Sequence, residues 1–316
     1  MNFQQLRIVR ETVRQDFNLT TVANTLFTSQ PGVSKHIKDL EDELGIEIFI
    51  RRGKRLLGLT EPGRELLVVV ERILLDAQNA RSIADHFSNR ETGNLVIATT
   101  HTQARYALPE VIKRFKAEYP KVHLVLHQGS PREIAELLSA GEADIAIATE
   151  GLVSIPDSVS FPYYIWHHAL VVPLGHPLTQ LATITLADLA DYPIVTYHEG
   201  FTGRTNIDRS FAEAGLAPDI VLSAIDADVI KTYVDVGLGI GIIASMAYNP
   251  QRDGNLERID LPGLFDANTT RLALRRGIYL RSYAYEFIQK LVPGLTEEKI
   301  AETIRQAAAG GEDYTI

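Results

Sequence analysis

Apolar residues in the first 45 positions recur at helical spacing and predict three helices. The first covers about residues 3–15, with Phe3, Leu6, Val9 and Val13 near one face. The second, about 20–26, carries Val22, Ala23 and Leu26, and the small Ala23 would let another helix pack close. In Thr28-Ser29-Gln30-Pro31, Ser29 is placed to cap a third helix. Pro31 fits its first turn, where the missing N–H costs nothing. Val33, Ile37, Leu40 and Leu44 then form one stripe, and Gly45 stops the helix. Residues 48–50 and 56–60 read as the strands of a hairpin around the basic turn Arg51-Arg52-Gly53-Lys54-Arg55. Thr60 and Pro62 open a long helix to about residue 89. Along it Leu66, Val70, Ile73, Ala77, Ala80, Ala84 and Phe87 step by four and three, the spacing of a heptad seam. Such a seam suits the pairing of two copies. A helix lying on the core of its own domain is the competing account.

From Gly93 the pattern changes to short apolar strands alternating with helices, as expected for a mostly parallel sheet. Strands are expected at 95–98, 122–126 and 144–148, then at 169–172, 194–195, 220–222, 240–243 and 272–274. Helices are expected at 108–119, around 134–138, 206–214 and 229–236, and after Ser282 and Thr296.

Polar residues on these elements suggest chemistry in two places. On the third helix, Gln30, Ser34, Lys35 and Lys38 lie near the N-terminal half, the part that enters a major groove in a helix-turn-helix. Gln and Lys can bond base edges and Ser can serve bases or phosphates, although a solvated helical hairpin would carry the same face. The hairpin tip shifts this balance, because Arg51, Arg52, Lys54 and Arg55 around one glycine repel each other unless an anion such as a phosphate backbone lies near. The second place is where strands hand over to helices, at Thr99-Thr100-His101-Thr102-Gln103, at Thr149, and at Gly200-Phe201-Thr202-Gly203-Arg204-Thr205. Helix N-termini there offer unpaired N–H groups, and the hydroxyls and the amide suit a small polar ligand held by neutral hydrogen bonds. Each threonine taken singly is explained as well by helix capping.

Composition narrows the classes. The 316 residues suit about two domains, and 45% hydrophobic with 22% charged residues is the balance of a globular chain. No apolar run nears the roughly 18 residues of a membrane span and the N-terminus lacks a secretory pattern, so a cytoplasmic location without membrane association is expected. The absence of cysteine excludes disulfides, thiolate catalysis and Cys-ligated zinc. The net charge of −9 divides unevenly. Residues 1–60 hold nine Lys/Arg against seven Asp/Glu, or +2, and the rest 22 against 33, or −11. A mildly basic head on an acidic body suits contact with nucleic acid at one end only.

No catalytic constellation, metal cluster or cofactor motif is found. His123 and His127 lie four apart on an expected strand, a poor geometry for sharing a metal. Gly237-Leu238-Gly239-Ile240-Gly241 precedes a strand rather than following one, so a tight turn explains it better than a dinucleotide loop. An enzyme is therefore not expected. A solute-binding receptor without DNA binding is the remaining rival, opposed by the basic head.

The run from Leu26 through Glu41, with Leu44-Gly45, Ile48-Phe49, Arg51 and Leu59-Thr60-Glu61-Pro62-Gly63, resembles the signature of LysR-type transcription regulators. Thr99 through Pro109, Ile165 through Ala169, Tyr197 through Arg204 and Asp226 through Val234 resemble the CysB/Cbl group of that family, regulators of sulfur assimilation. The resemblance implies a winged helix-turn-helix, a long dimerisation helix and an α/β two-lobed effector domain like the periplasmic binding proteins. It sets the domains at 1–60, 61–90 and 91–316, with lobe I at 91–162 and 269–316 and lobe II at 163–268. The DNA-binding residues would be Ser29, Gln30, Pro31, Ser34, Lys35, Lys38, Arg51, Arg52, Lys54 and Arg55. The effector pocket would comprise Thr100, Thr102, Gln103, Thr149, Trp166, Thr202 and Ala227, with Trp166 equally suited to anchoring a hinge. The implied partners are double-stranded DNA, a small effector (N-acetylserine, O-acetylserine or a sulfate-like anion), further copies of the chain as dimer or tetramer, and RNA polymerase.

Overall fold

The computed structural model describes residues 1–53, 55–88 and 92–309, in two compact units, Met1–Phe87 and Ser88–Ile316. The first unit contains α1 (Phe3–Arg14), α2 (Leu19–Thr25), α3 (Gln30–Leu44), the antiparallel pair β1 (Phe49–Arg52) and β2 (Arg55–Leu59), and α4 (Glu61–Ser88). Each early helix starts on a polar cap. Asn2 and Gln5 form a reciprocal box on α1, Asn18 accepts from Thr20 and Thr21, and Ser29 accepts from the Gly32 N–H. Gly45 ends α3 in the left-handed region, φ 69°. Ile8, Val9, Val22, Val33, Ile37 and Leu40 form the core with Ile48 and Phe49. Phe3 and Leu44, expected on the inner stripes, are exposed.

Glu41 fastens α3 to the hairpin. Its Oε1 accepts the N–H groups of Ile48 (2.9 Å) and Phe49 (3.3 Å), and its Oε2 accepts from Arg51 Nη2 at 2.6 Å. The carboxylate is largely buried, so these are charge-assisted bonds in a partly dry setting.

The expected seam of α4 divides in two. Val70 is buried in the winged-helix core, and Leu66 and Ile73 pack against it, so this half serves its own domain. Ala80, Ala84 and Phe87 are exposed, Ala77 is half-buried, and Val69 and Ile83 are exposed beside them.

The second unit holds two five-stranded sheets. One has the order β4-β3-β5-β12-β6: β3 (Gly93–Thr99), β4 (Val122–Gln128), β5 (Ile145–Ala148), β6 (Ser158–Trp166) and β12 (Asn268–Arg275). The other has the order β11-β7-β10-β8-β9: β7 (His168–Pro173), β8 (Ile194–Tyr197), β9 (Ile220–Ala224), β10 (Ile240–Ala244) and β11 (Leu256–Asp260). Around β3 and β8 the pairing is parallel, while β6, β7, β11 and β12 pair antiparallel. The helices are α5 (Pro109–Glu118), α6 (Pro131–Ala140), α7 (Leu186–Ala190), α8 (Arg204–Glu213), α9 (Ala227–Asp235), α10 (Ser282–Leu291) and α11 (Glu297–Ala309). Apolar clusters lie on both faces of each sheet, which explains the near-continuous hydrophobic runs of the central strands.

The chain first crosses between lobes at His167, not near Pro162 as expected. Strand β6 stays paired with β12 as far as Trp166, opposite Asn268, and Pro162 is tolerated because it sits beside a bulge on an edge strand. The chain returns before Asn268, where β12 begins. The glycines at 239 and 241 serve packing. A Cβ on Gly239 would come within 2.2 Å of the Pro193 carbonyl oxygen, and one on Gly241 within 2.6 Å of Val171.

The two crossings meet at a buried polar joint. His168 Nε2 donates to the Thr202 carbonyl (3.2 Å), and Nδ1 accepts from Asn268 Nδ2 (3.4 Å). Asn206 Nδ2 donates to Asn268 Oδ1 at 2.9 Å, which fixes the Asn268 amide and so the imidazole tautomer. A Cβ on Gly203 would lie 2.4 Å from Asn268 Oδ1 and 2.7 Å from the His168 ring, so only glycine fits there. Burial pushes the His168 pKa down to about 4 from 6.5, and a second proton on Nδ1 would also sever the Asn268 bond.

Two outcomes are expected. Glu41→Ala should destabilise the first unit by about 1–3 kcal/mol in urea unfolding, since two backbone donors and a guanidinium lose their acceptor; Glu41→Gln should cost less. For His168, the unfolded chain takes up a proton near pH 6.5 that the folded chain refuses. Stability therefore stands in full above that pH and declines as pH falls from 6.5 toward 4, by at most about 1.4 kcal/mol per pH unit. Urea midpoints of His168→Gln over that window should show a shallower decline; equal slopes would mean the ring is not the titrating group.

Candidate nucleic-acid interface and effector crevice

In the first unit, Ser29, Gln30, Pro31, Lys35 and Lys38 are exposed along α3, and Ser34 is half-buried. Gln30 Nε2 reaches Ser34 Oγ at 3.3 Å, so the two side chains are held together on one turn. A groove of about 660 Å³ between α3 and the hairpin is lined by Ser34, Lys38, Glu41, Asp42, Glu47 and Arg51, among others. Arg52 and Arg55 face each other across the hairpin and are exposed. Lys54 lies outside the described residues. Arg51 differs from its neighbours because Glu41 already neutralises it.

In the second unit all the expected pocket residues but Ala227 gather where the lobes face each other. Thr100, Thr102, Gln103, Trp166 and Thr202 are buried and Thr149 half-buried. Helix N-termini and strand ends bring them there. Gln103 opens a single π-type turn (Gln103–Ala107) after β3, Thr149 follows β5, and Thr202 precedes α8. Thr202 holds a left-handed φ of 43°, unusual for a β-branched residue, and its hydroxyl lies 3.4 Å from that of Thr102 across the crevice.

The centre of the network is Thr270 on β12, which sequence reasoning did not single out. Its hydroxyl accepts from Gln103 Nε2 (3.2 Å) and Trp166 Nε1 (3.1 Å) and lies 3.3 Å from Thr149 Oγ1. A hydroxyl has two lone pairs and one proton, so with both pairs engaged its proton is shared between the Thr149 and Tyr164 oxygens. Tyr164 donates to Gln103 Oε1 (2.7 Å) and also reaches Met246 Sδ (3.1 Å) in the other lobe. Burial pushes the Tyr164 pKa up to about 12, so the phenol stays protonated and able to donate. Trp166 donates into the network while its ring meets His168 edge-on at 5.1 Å. Ala227 stands apart from these hydroxyls, at the head of α9 in an apolar cluster with Val195 and Tyr197.

A second cross-lobe cluster surrounds Asp228. Tyr106 donates to it at 2.8 Å, Arg105 pairs with it, Lys231 lies 3.3 Å away and His101 3.8 Å. Burial opposes its charge, but Tyr106, Lys231 and Arg105 prevail and hold the carboxyl below its ordinary pKa. His101, Asp226 and Asp228 are spaced to share a metal ion. The two cations already on Asp228 would repel one.

Two family models match the chain: the bacterial regulatory helix-turn-helix protein of the lysR family at residues 3–64, and the LysR substrate binding domain at 88–295. The HTH-type transcriptional regulator SsuR of Burkholderia cenocepacia is 60% identical, covering 97% of this chain and 100% of that protein. The HTH-type transcriptional regulator CysB of the same organism is 53% identical over 99% and 100%. Among solved structures, the cofactor-binding domain of the Cbl transcriptional regulator is 53% identical, with a TM-score of 0.66 over 68% of this chain and 95% of that one. No helix among the described residues is long and apolar enough to cross a membrane. A DNA-binding helix-turn-helix, a two-lobed effector-binding domain and these relatives together make the chain a member of the LysR family of transcription regulators, in its CysB/Cbl group and not an enzyme.

Proposed function

We propose that the protein governs sulfur-assimilation and cysteine-biosynthesis genes from the cytoplasm, by coupling occupancy of the crevice to the grip of α3 and its wing on an operator. The observation carrying this reading is the convergence of Thr102, Gln103, Thr149 and Thr202 between the lobes. Neutral donors and acceptors of this kind suit a small polar effector such as N-acetylserine or O-acetylserine. A ligand touching both lobes favours one lobe arrangement by its differential affinity for the two. On the second half of α4, Ala77, Ala80, Ala84 and Phe87 join two copies, as a dimer or within a tetramer, and so present two reading heads to a two-fold operator. RNA polymerase is the partner through which such a complex would act. A second reading, control of sulfonate and sulfate-starvation genes in the manner of Cbl through a sulfate-related anion, is favoured by identity: the chain is 57% identical to the regulator Cbl of Escherichia coli and 53% to CysB of Burkholderia cenocepacia. Thermal-shift titration with N-acetylserine, O-acetylserine, sulfate and adenylyl sulfate separates the two readings.

On α3, Ser29, Gln30, Pro31, Ser34, Lys35 and Lys38 contact DNA; on the wing, Arg52, Lys54 and Arg55 face phosphates, while Arg51 contributes chiefly by bracing. Alanine at Arg52, Lys54 and Arg55 should weaken operator binding and flatten its dependence on salt, the log–log slope losing about 0.9 per phosphate contact removed. An unchanged slope would show that the wing does not touch the backbone. Thr100→Val combined with Thr202→Val should leave operator affinity intact but abolish the response to an acetylserine in a mobility-shift or transcription assay; a normal response would place the pocket elsewhere.

A further inference from the structure

The π-type turn Gln103–Ala107 puts a network residue and a bridging residue three positions apart. Its closing bond runs from the Leu108 N–H to the Gln103 carbonyl at 3.0 Å, a geometry found mostly at functional sites. Gln103 turns into the polar network of its own lobe, while Tyr106 projects from the same turn to the opposite lobe. There its ring packs against the apolar cluster of Val195, Tyr197, Ala227 and Ile230, and its hydroxyl donates to Asp228 Oδ1 at 2.8 Å. Lys231 Nζ stands 5.7 Å from the ring centroid and 3.3 Å from Asp228. Burial, then the bond to Asp228, raises the pKa of the phenol, so it stays protonated and able to donate.

The contacts of this cluster differ in weight. Arg105 pairs with Asp228 from an exposed position, where an ion pair contributes little. The phenol bond is half-buried and charge-assisted, and it is coupled to an aromatic ring removed from water on the opposite lobe. Lys231 is buried and held by Asp253 at 2.9 Å and by the Ala247 carbonyl at 2.8 Å, so it offers Asp228 a fixed partner. The Thr102–Thr202 contact, also between lobes, is longer at 3.4 Å, and the Tyr164–Met246 contact ends on a weak thioether acceptor.

We propose that Tyr106 is a latch: anchored in the opposite lobe by Asp228 and the apolar cluster, it holds the two lobes in this arrangement in the ligand-free chain, and parting them requires its withdrawal. Gln103 on the same turn ties the latch to the polar network, so a change in the partners of that amide reaches Tyr106 within one turn. The latch goes beyond the effector assignment and depends on no particular ligand. It sets the resting equilibrium that any ligand between the lobes must shift.

Amide hydrogen exchange on the ligand-free full chain tests it. The Gly203 N–H, bonded to Glu150 of the other lobe, is exposed when the lobes part, and its protection reports how often they do. Tyr106→Phe, which keeps the ring and removes the bond, should lower that protection about tenfold to a hundredfold, the scale of one hydrogen bond to a charged group. Asp228→Ala should lower it at least as far. Tyr106→Phe added to Asp228→Ala should lower it no further, since the two residues share one interaction. Ile97→Val, a small cavity inside one lobe, should weaken the fold as a whole yet leave Gly203 protection unchanged. Unchanged protection in Tyr106→Phe would overturn the latch, as would additive losses in the double variant. So would an equal fall in Ile97→Val, because the lobes would then part only when the whole domain unfolds.

Discussion

A hydroxyl oxygen can take part in three hydrogen bonds, and the buried Thr270 oxygen uses all three. Around that limit the sensor is organised. Gln103, Trp166 and Thr149 arrive from the ends of β3, β6 and β5, and each is oriented by the bond it makes there. Polar groups this far from water tolerate few unmade bonds. Thr102 and Thr202 join the two lobes at 3.4 Å, and the loop of Thr202 also carries Gly203 and the carbonyl held by His168, so the polar network and the joint between the crossings are mechanically linked.

Much of this was readable in the chain. The caps at Ser29 and Thr60, the stop at Gly45 and the alternation of strands and helices are local signals, and local chemistry sets them. The threonines at 100, 102, 149 and 202 were readable because strand-to-helix junctions are where such sheets expose their N–H groups. Thr270, Tyr164, His168 and Asn268 were not, since each lies within a strand and gains its role from a partner 61 or more residues away. Nothing in Asn268-Thr269-Thr270 distinguishes a network centre from ordinary strand threonines. Pro162 misled for a related reason: proline usually ends a strand, and the bulge that accommodates it is a property of β12 across the ladder.

Charge shows the same limit. A sequence reveals cations but not their commitments. Four cations at the hairpin tip read as one anion-seeking cluster, yet Arg51 belongs to Glu41. Arg204 and Lys231, within the effector domain, are likewise spent on Asp208 and Asp253. The seam on α4 follows this logic in apolar terms, since its heptad spacing continues through residues in different settings, the domain's own core up to Ile73 and solvent-exposed positions at Ala80, Ala84 and Phe87.

The bracing of α3 against the hairpin by Glu41 limits how a signal can reach DNA. With two backbone amides and a guanidinium on a single carboxylate, helix and wing form one rigid piece, and there is little slack by which an individual reading head could loosen its hold. Under the proposed pairing of two copies, regulation would work through the distance and angle between whole heads. A poorly spaced operator would then be discriminated by the energy of deforming the duplex to meet two fixed claws, rather than by any adjustment of the claws themselves.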